Sequence, residues 1–385
     1  MPYLTRHLEQ IVRKAARQFP AIVLTGPRRS GKTFLLRHLF PKAGYHLLED
    51  PELLLRVKSD PRAFLDGLTH PVILDEIQNA PELLAHARAR IDEEPSKKGR
   101  WFFTGSQEFS LMHGITESMA GRAAILRLLP FSQAESPRVT LLGGGFPEAL
   151  ARASVRDIWF ASYVQTYLER DVRAVTQVRD LAVFRRFMGL LAARHGQMLN
   201  KTDIASALGV SVPTVAQWLG ILETSGLVIA VPPYFENFGK RLVKSPRIYW
   251  LDSGLVCNLL GIRSVAELER STFLGAIWEG HVAAEILKAQ LNKGRRGELF
   301  HFRDQQGLEV DFLVPVTDGR LALVECKASR TLTPSMAAPA RSLSSSMGEK
   351  AAFAAVVGRQ NDVGTPALLQ GVSALTLPEL LARLP

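Results

Sequence analysis

Cysteine is nearly missing from this sequence: there are two in 385 residues, Cys257 and Cys326. Two thiols cannot build a disulfide framework, and their spacing fits no metal-ligand pattern. No apolar run reaches the roughly 18 residues that a membrane-spanning helix needs. The N-terminus carries basic residues but no signal-peptide core. Internal repeats and long low-complexity segments are also lacking, the loosest stretch being the Ser/Ala/Pro-rich Thr331–Ser346. Together these absences lead us to expect a cytoplasmic chain with no membrane partner. Acidic residues are in the minority, 37 against 47 Lys and Arg, giving a net charge of +10. That excess favours a polyanionic partner, although the base composition of a genome can produce the same arginine-rich balance.

What is present is ordinary for a folded protein. Hydrophobic residues make up 46% and charged residues 22%, which excludes a mainly disordered chain. The length exceeds what one core organises, so two or three domains are expected. Ala21–Thr25 is a short apolar run suited to a buried parallel strand, followed by a Gly-rich turn and an apolar-periodic helix through Phe34, Leu35, Leu36 and Leu39 that Pro41 stops. Pro71–Leu74 and Arg100–Thr104 repeat the short apolar strand before a polar tip, with a helical stretch Pro81–Ile91 between them. This alternation predicts a parallel sheet covered by helices.

Gly26-Pro27-Arg28-Arg29-Ser30-Gly31-Lys32-Thr33 satisfies the phosphate-binding pattern G-x-x-x-x-G-K-[ST] between a strand and a helix. Its glycines let backbone N–H groups turn inward on phosphates, and the helix N-terminus adds a favourable dipole. Lys32 is expected to bridge the β- and γ-phosphates of ATP, with Thr33 on magnesium. Val72-Ile73-Leu74-Asp75-Glu76 is an apolar strand ending in two carboxylates. Asp75 suits the magnesium shell and Glu76 the attacking water. A pair suited to water activation fits a small-substrate phosphotransferase less well.

With Leu74-Asp75-Glu76-Ile77-Gln78, Phe103-Thr104-Gly105-Ser106 and Met119-Ala120-Gly121-Arg122 beside the phosphate loop, the chain resembles the AAA-type ATPases of bacteria and archaea whose C-terminal half is an uncharacterised domain. The resemblance implies a γ-phosphate sensor at Thr104 or Ser106. It also implies that Arg122 reaches a neighbouring subunit's nucleotide in a homo-oligomer, although an arginine in a loop is more often a solvated charge. It extends through Gly145-Phe146-Pro147-Glu148, Tyr167–Val172 and Tyr249–Leu255, and so spans nearly the whole chain. In the last of these segments Asp252 is expected to cap a helix.

From Gly143 to about Gly189 the chain reads as mostly helical. Asn200 or Thr202 then caps a helix through Ile204 and Leu208, Gly209 permits a tight turn, and Ser211 caps a second helix bearing Val215, Trp218, Leu219 and Leu222. Strands at Leu227–Val231 and Ile248–Leu251 complete a winged-helix outline. Asn237–Leu251 holds four basic residues and no acidic one: Lys240, Arg241, Lys244 and Arg247. These are expected to meet DNA phosphates while the second helix enters a groove. Alternatively the outline is a packing module on the ATPase.

The last stretch predicts a helix over Phe273–Leu291 and strands at Leu299–Arg303, Glu309–Val314 and Leu321–Lys327. Asp311 lies on one strand, and Glu325 and Lys327 share a face of the next because side chains two apart align. Asp-x13-Glu-x-Lys resembles the core of PD-(D/E)xK nucleases, which implies a second magnesium or manganese ion on Asp311 and Glu325, with Lys327 assisting the water and Glu279 as the additional acidic position. An internal ion pair is the competing reading. The expected architecture is therefore α/β: an AAA-type P-loop domain over 1–134, a helical region over 135–189, a winged helix over 190–256 and a restriction-endonuclease-like domain over 257–385. The expected function is ATP hydrolysis coupled to engaging or remodelling DNA. The alternative is a nucleotide-regulated protein-interaction switch with no DNA activity.

Overall fold

The computed structural model describes residues 3–105, 119–168, 181–234, 245–359 and 371–385. The chain divides into two compact units. The first runs to Phe131 and takes in Thr224–Gly226 and Leu291–Arg295, and the second comprises the remainder.

The first unit is built on a five-stranded sheet of β1 (Ala21–Thr25), β2 (Gly44–Leu47), β3 (Val72–Asp75), β4 (Trp101–Thr104) and β5 (Ala123–Arg127), in the order β2-β3-β4-β1-β5. Every pairing is parallel. β1, β3 and β4 are buried at every residue, as strands covered on both faces must be. Helices Glu9–Gln18 and Lys32–Leu39 belong to the core that contains Ile22, Leu24 and Phe102, while Glu82–Glu93 belongs to the core that contains Val23, Leu74 and Phe103. The register pairs Leu24 of β1 with Thr104 of β4 and Leu74 of β3 with Phe103. Thus the tip of β4 lies between the turn that follows β1 and the carboxylate that ends β3. β2 and β5 are edge strands that are mostly only partly buried; β2, Gly-Tyr-His-Leu, is too short and polar for periodicity to mark.

In the second unit, helices Lys201–Leu208 and Val212–Thr224 turn through 107° about Gly209, whose φ of 68° is the left-handed geometry glycine adopts readily. The Asn200 side chain accepts the Asp203 N–H at 3.1 Å and Ser211 Oγ accepts that of Thr214 at 3.3 Å, as the capping pattern anticipates. β6 (Val228–Val231) and β7 (Arg247–Trp250) form an antiparallel pair. Asp252 caps helix Ser253–Leu259 through the Leu255 N–H at 2.9 Å, and its other oxygen takes the Gly145 N–H at 2.7 Å. Two of the segments that carry the family resemblance are joined by this one carboxylate.

A mixed sheet completes the second unit: β8 (Phe300–Arg303), β9 (Glu309–Pro315), β10 (Leu321–Cys326), β11 (Ala351–Val357) and β12 (Val372–Leu375), in the order β12-β11-β10-β9-β8. β8, β9 and β10 are antiparallel neighbours, and β10, β11 and β12 are parallel. Thr331–Ser346, the loosest stretch by composition, instead runs into a helix, Ala338–Met347. Ala340, Leu343 and Met347 form an apolar stripe buried against the sheet, and small residues had masked it. Helix Leu274–Asn292 is buried along nearly its whole length. Among the described residues no single helix is long and apolar enough to cross a membrane.

His195 lies against that helix. Its Nδ1 accepts the Trp250 N–H at 3.1 Å, and a Cβ at Gly280 would stand 1.9 Å from its Nε2, so only glycine allows this approach. Burial pushes the ring's pKa down to about 3. The unfolded chain, whose histidines titrate near 6.5, takes up a proton below that pH that the folded chain refuses. Stability should therefore fall as pH drops, by about 1.4 kcal/mol per pH unit for one such group. His195→Gln is expected to be less stable than wild type at pH 7, with the deficit narrowing at about that rate towards pH 5 in urea titrations. A deficit independent of pH would refute the buried neutral ring.

Candidate functional site

The loop after β1 is shaped by backbone geometry first. Gly26 has φ 136° and Gly31 φ 96°. A Cβ at Gly26 would fall 2.1 Å from the Leu128 carbonyl oxygen, so no other residue fits there. Gly31, by contrast, has open space where a Cβ would stand. Arg6, which sequence reasoning passed over, is almost fully buried. Its guanidinium donates to the carbonyls of Ser30 at 3.0 Å and Leu129 at 2.6 Å and lies over the Phe131 ring. It thereby ties the loop to the chain after β5. No local sequence signal marks such a contact across 123 residues.

Lys32 opens the helix Lys32–Leu39, and its buried ammonium donates to the carbonyls of Gly26 at 2.9 Å and Pro27 at 3.0 Å. Arg28 pairs with Glu49 at 3.2 Å, Arg29 holds a left-handed φ of 60°, and the buried Ser30 hydroxyl has no hydrogen-bond partner. Thr33 Oγ1 donates to Asp75, 2.8 Å from one carboxylate oxygen and 3.0 Å from the other. Asp75, buried at the end of β3, also accepts from Tyr45 OH at 2.8 Å and from Thr104 Oγ1. Thr104 in turn accepts the Glu76 N–H at 3.3 Å, and Glu76 adopts a left-handed φ of 58°. The strand order brings together Lys32, Thr33, Asp75, Glu76 and Thr104, which lie up to 72 positions apart in sequence. Burial and the bond to Asp75 push the Tyr45 hydroxyl well above its usual pKa, so it stays a donor. Hard oxygens of Thr33 and Asp75 beside an ammonium and a loop of inward N–H groups suit a polyphosphate carrying a magnesium ion.

Ser106, Lys240, Arg241 and Lys244 lie outside the described residues, as does part of Tyr167–Val172. Arg122 is described: its Nε and Nη2 embrace Asp92 at 2.5 and 2.9 Å, so within the single chain it has an acidic partner on helix Glu82–Glu93.

Arg247 requires a correction. Expected on a phosphate-facing surface, it is 5% exposed and turned into the second unit. Its Nη1 lies 2.9 Å from Glu279 and 3.4 Å from Asp311, and its Nη2 pairs with Glu309. Tyr249, two residues on and on the same face of β7, also donates to Glu279. Lys327 Nζ pairs with Glu325 at 2.7 Å, and the Cys326 N–H donates to Asp311 at 2.8 Å. Asp311 and Glu325 on neighbouring strands, Lys327 just after β10 and Glu279 on helix Leu274–Asn292 thus do form one cluster, but with a guanidinium among them. The expected second metal site needs the same revision. Among the described residues no group of three or more His, Cys, Asp or Glu side chains is arranged to hold a metal ion. Burial first, and the neighbouring Asp311 second, raise the pKa of Glu279 and of Glu325 above the usual carboxylate range.

Comparison with known proteins places these geometries in context. Residues 18–136 match the model described as AAA domain. Residues 135–266 and 274–380 match two models, each described as a domain of unknown function. The uncharacterized protein Rv2008c of Mycobacterium tuberculosis is 35% identical over 340 residues, covering 86% of this chain and 75% of the relative, and Mb2031c of Mycobacterium bovis gives the same values. Among solved structures, a Walker-type ATPase of Pyrococcus abyssi aligns with 66% of this chain and 94% of its own, at 15% identity and a TM-score of 0.45. RuvB of Thermotoga maritima aligns with 59% of this chain and 86% of its own, at 16% identity and a TM-score of 0.32.

Removing the Tyr45 hydroxyl tests the geometry around Asp75. Tyr45→Phe is expected to cost about 1 kcal/mol, the net worth of one hydrogen bond, in chemical denaturation of the nucleotide-free protein. An unchanged denaturation curve would mean that Tyr45 does not help to hold Asp75.

Proposed function

The chain belongs to the family of these two mycobacterial proteins, and from its AAA-type P-loop unit we propose that it binds ATP with magnesium and hydrolyses it. The observation that carries the reading is the meeting of Thr33 and Thr104 on one buried carboxylate, Asp75. Gly26, Pro27, Arg28, Arg29, Ser30 and Gly31 form the loop that receives the phosphates, and Lys32 neutralises the β- and γ-oxygens. Thr33 and Asp75 hold magnesium, which when bound offsets the charge on the phosphates. Glu76 orients the water and accepts its proton. Thr104, which touches both Asp75 and the Glu76 N–H, reports the γ-phosphate, with Ser106 as the neighbouring polar residue.

For the second unit we propose a winged-helix module over 190–256, preceded by a helical region over 135–189 and followed by a nuclease-like domain over 257–385, with DNA as the ligand and hydrolysis as the driver. Support comes from the 107° helix pair followed by a two-stranded sheet, the net charge of +10, and Asp311 and Glu325 on the adjacent strands β9 and β10 with Lys327 directly after β10. Two observations favour the second reading, a protein-interaction switch. Arg247 is spent on internal carboxylates, and helix Val212–Thr224 carries no basic residue. The partner that Arg122 addresses is a second copy of the chain, reached once Arg122 leaves Asp92.

Steady-state ATP hydrolysis separates these readings. Lys32→Ala should abolish nucleotide binding, while Glu76→Gln should keep binding and lose turnover. Single-stranded, duplex or branched DNA should raise the wild-type rate, and the rise should fade with salt as counterions compete. No stimulation by any of the three favours the switch. Hydrolysis per chain should also rise with protein concentration in wild type and stay flat in Arg122→Ala. Equal dependence in the two proteins removes the role of Arg122 in trans.

A further inference from the structure

The acidic cluster of the mixed sheet does not fit a divalent cation as it is arranged. A hard dication needs carboxylate oxygens converging to roughly 2.0–2.6 Å from one point. Here the Glu279 and Asp311 oxygens that would converge are bridged by Arg247 Nη1, at 2.9 and 3.4 Å. The second nitrogen of the fork is taken by Glu309, and the arginine side chain is only 6% exposed. A guanidinium stays charged at every pH at which the protein is folded, and its planar fork matches carboxylates better than an ammonium does. Protonation equilibria therefore do not evict it. Asp311 spends its other oxygen on the Cys326 N–H, and Lys327 occupies Glu325 Oε1. What is left over is Glu325 Oε2, buried and without a hydrogen-bond partner in a residue only 5% exposed. It is the one buried oxygen of these carboxylates left open to a cation, and one oxygen cannot hold a metal alone.

We propose that Arg247 is the resident cation of the Glu279, Glu309 and Asp311 cluster and excludes a divalent ion, so that the C-terminal sheet acts as a metal-independent binding module and not as a nuclease. The inference rests on the nuclease-like reading of Asp311, Glu325 and Lys327. β7 delivers the arginine: Arg247 and Tyr249 project from one face of that strand and both reach Glu279. The metal site is thus latent, closed by a side chain that lies 32 positions before the helical carboxylate.

The test is binding of Mn2+ alone to the full-length protein without nucleotide, read as loss of the free-ion electron paramagnetic resonance signal, in a Thr33→Ala background that removes the P-loop ligand. The parent and its Asp311→Ala derivative should bind Mn2+ indistinguishably. Adding Arg247→Met should create one further site per chain, and Asp311→Ala should abolish that site. A parent that already holds an Asp311-dependent Mn2+ overturns the proposal while leaving the nuclease-like reading intact. If neither the parent nor Arg247→Met gains an Asp311-dependent site, the cluster has no metal geometry and both fall. Circular dichroism establishes folding. If Arg247→Met does not fold, Glu309→Gln serves instead, since it loosens the fork from its more exposed end. It should gain a weaker Mn2+ site that again requires Asp311, and an absence of gain counts against the proposal in the same way.

Discussion

A carboxylate taken out of water must find donors, and the kind of donor it finds decides what it can still do. Asp75 is surrounded by three neutral hydroxyls, those of Thr33, Tyr45 and Thr104. They satisfy its lone pairs without cancelling its charge, so the group remains able to attract a cation. Asp311 and Glu279 meet the same requirement in part with a guanidinium, which donates hydrogen bonds and puts a positive charge between them. One chain therefore contains two acidic clusters, and one of them is bridged by an internal cation.

The difference follows from the frames that present these residues. In the parallel sheet every strand tip points the same way, so the ends of β1, β3 and β4 converge on one edge with the phosphate loop. Thr104 at the end of β4 and Thr33 at the start of the helix after the loop face the carboxylate at short range, and Tyr45 reaches it from β2. Around the mixed sheet, the acidic residues come from β9, β10 and helix Leu274–Asn292, and the space between them is filled from β7. Removing one partner from a buried ion pair costs about 3–5 kcal/mol, because the charge left behind is uncompensated. Arg247 is accordingly held in place by the very groups it bridges.

Much of the nucleotide site was legible because its information is local. A Gly-rich octet between a strand and a helix, and a strand ending in Asp75-Glu76, carry their geometry in their own spacing. Strand alternation likewise put Glu325 and Lys327 on one face, and the caps at Asn200, Ser211 and Asp252 were readable from residue type and position. Tyr45 and Arg6 were not legible. Tyr45 sits on an edge strand with too few apolar residues to be recognised, and Arg6 acts on backbone carbonyls of the loop and of the chain after β5, which no side-chain pattern encodes. The helix Ala338–Met347 was hidden by serine and alanine, whose composition reads as loose until Ala340, Leu343 and Met347 are seen to fall on one side.

Arg247 is the instructive failure, because its sequence context was real and its interpretation was not. Four basic residues within a stretch that has no acidic residue describe local charge density, and local density says nothing about which side of a strand faces solvent. The period of two along β7 puts Arg247 and Tyr249 on one face and Ile248 and Trp250 on the other. Both faces are buried, so the arginine had to find acids inside. The acids it finds are those a metal would need. A positive stripe in a sequence is therefore a reading of two possibilities, a ligand's phosphates or the protein's own carboxylates, and burial decides between them. Here it assigns the charge of Arg247 to the fold, and any affinity of the second unit for a polyanion has to come from other side chains.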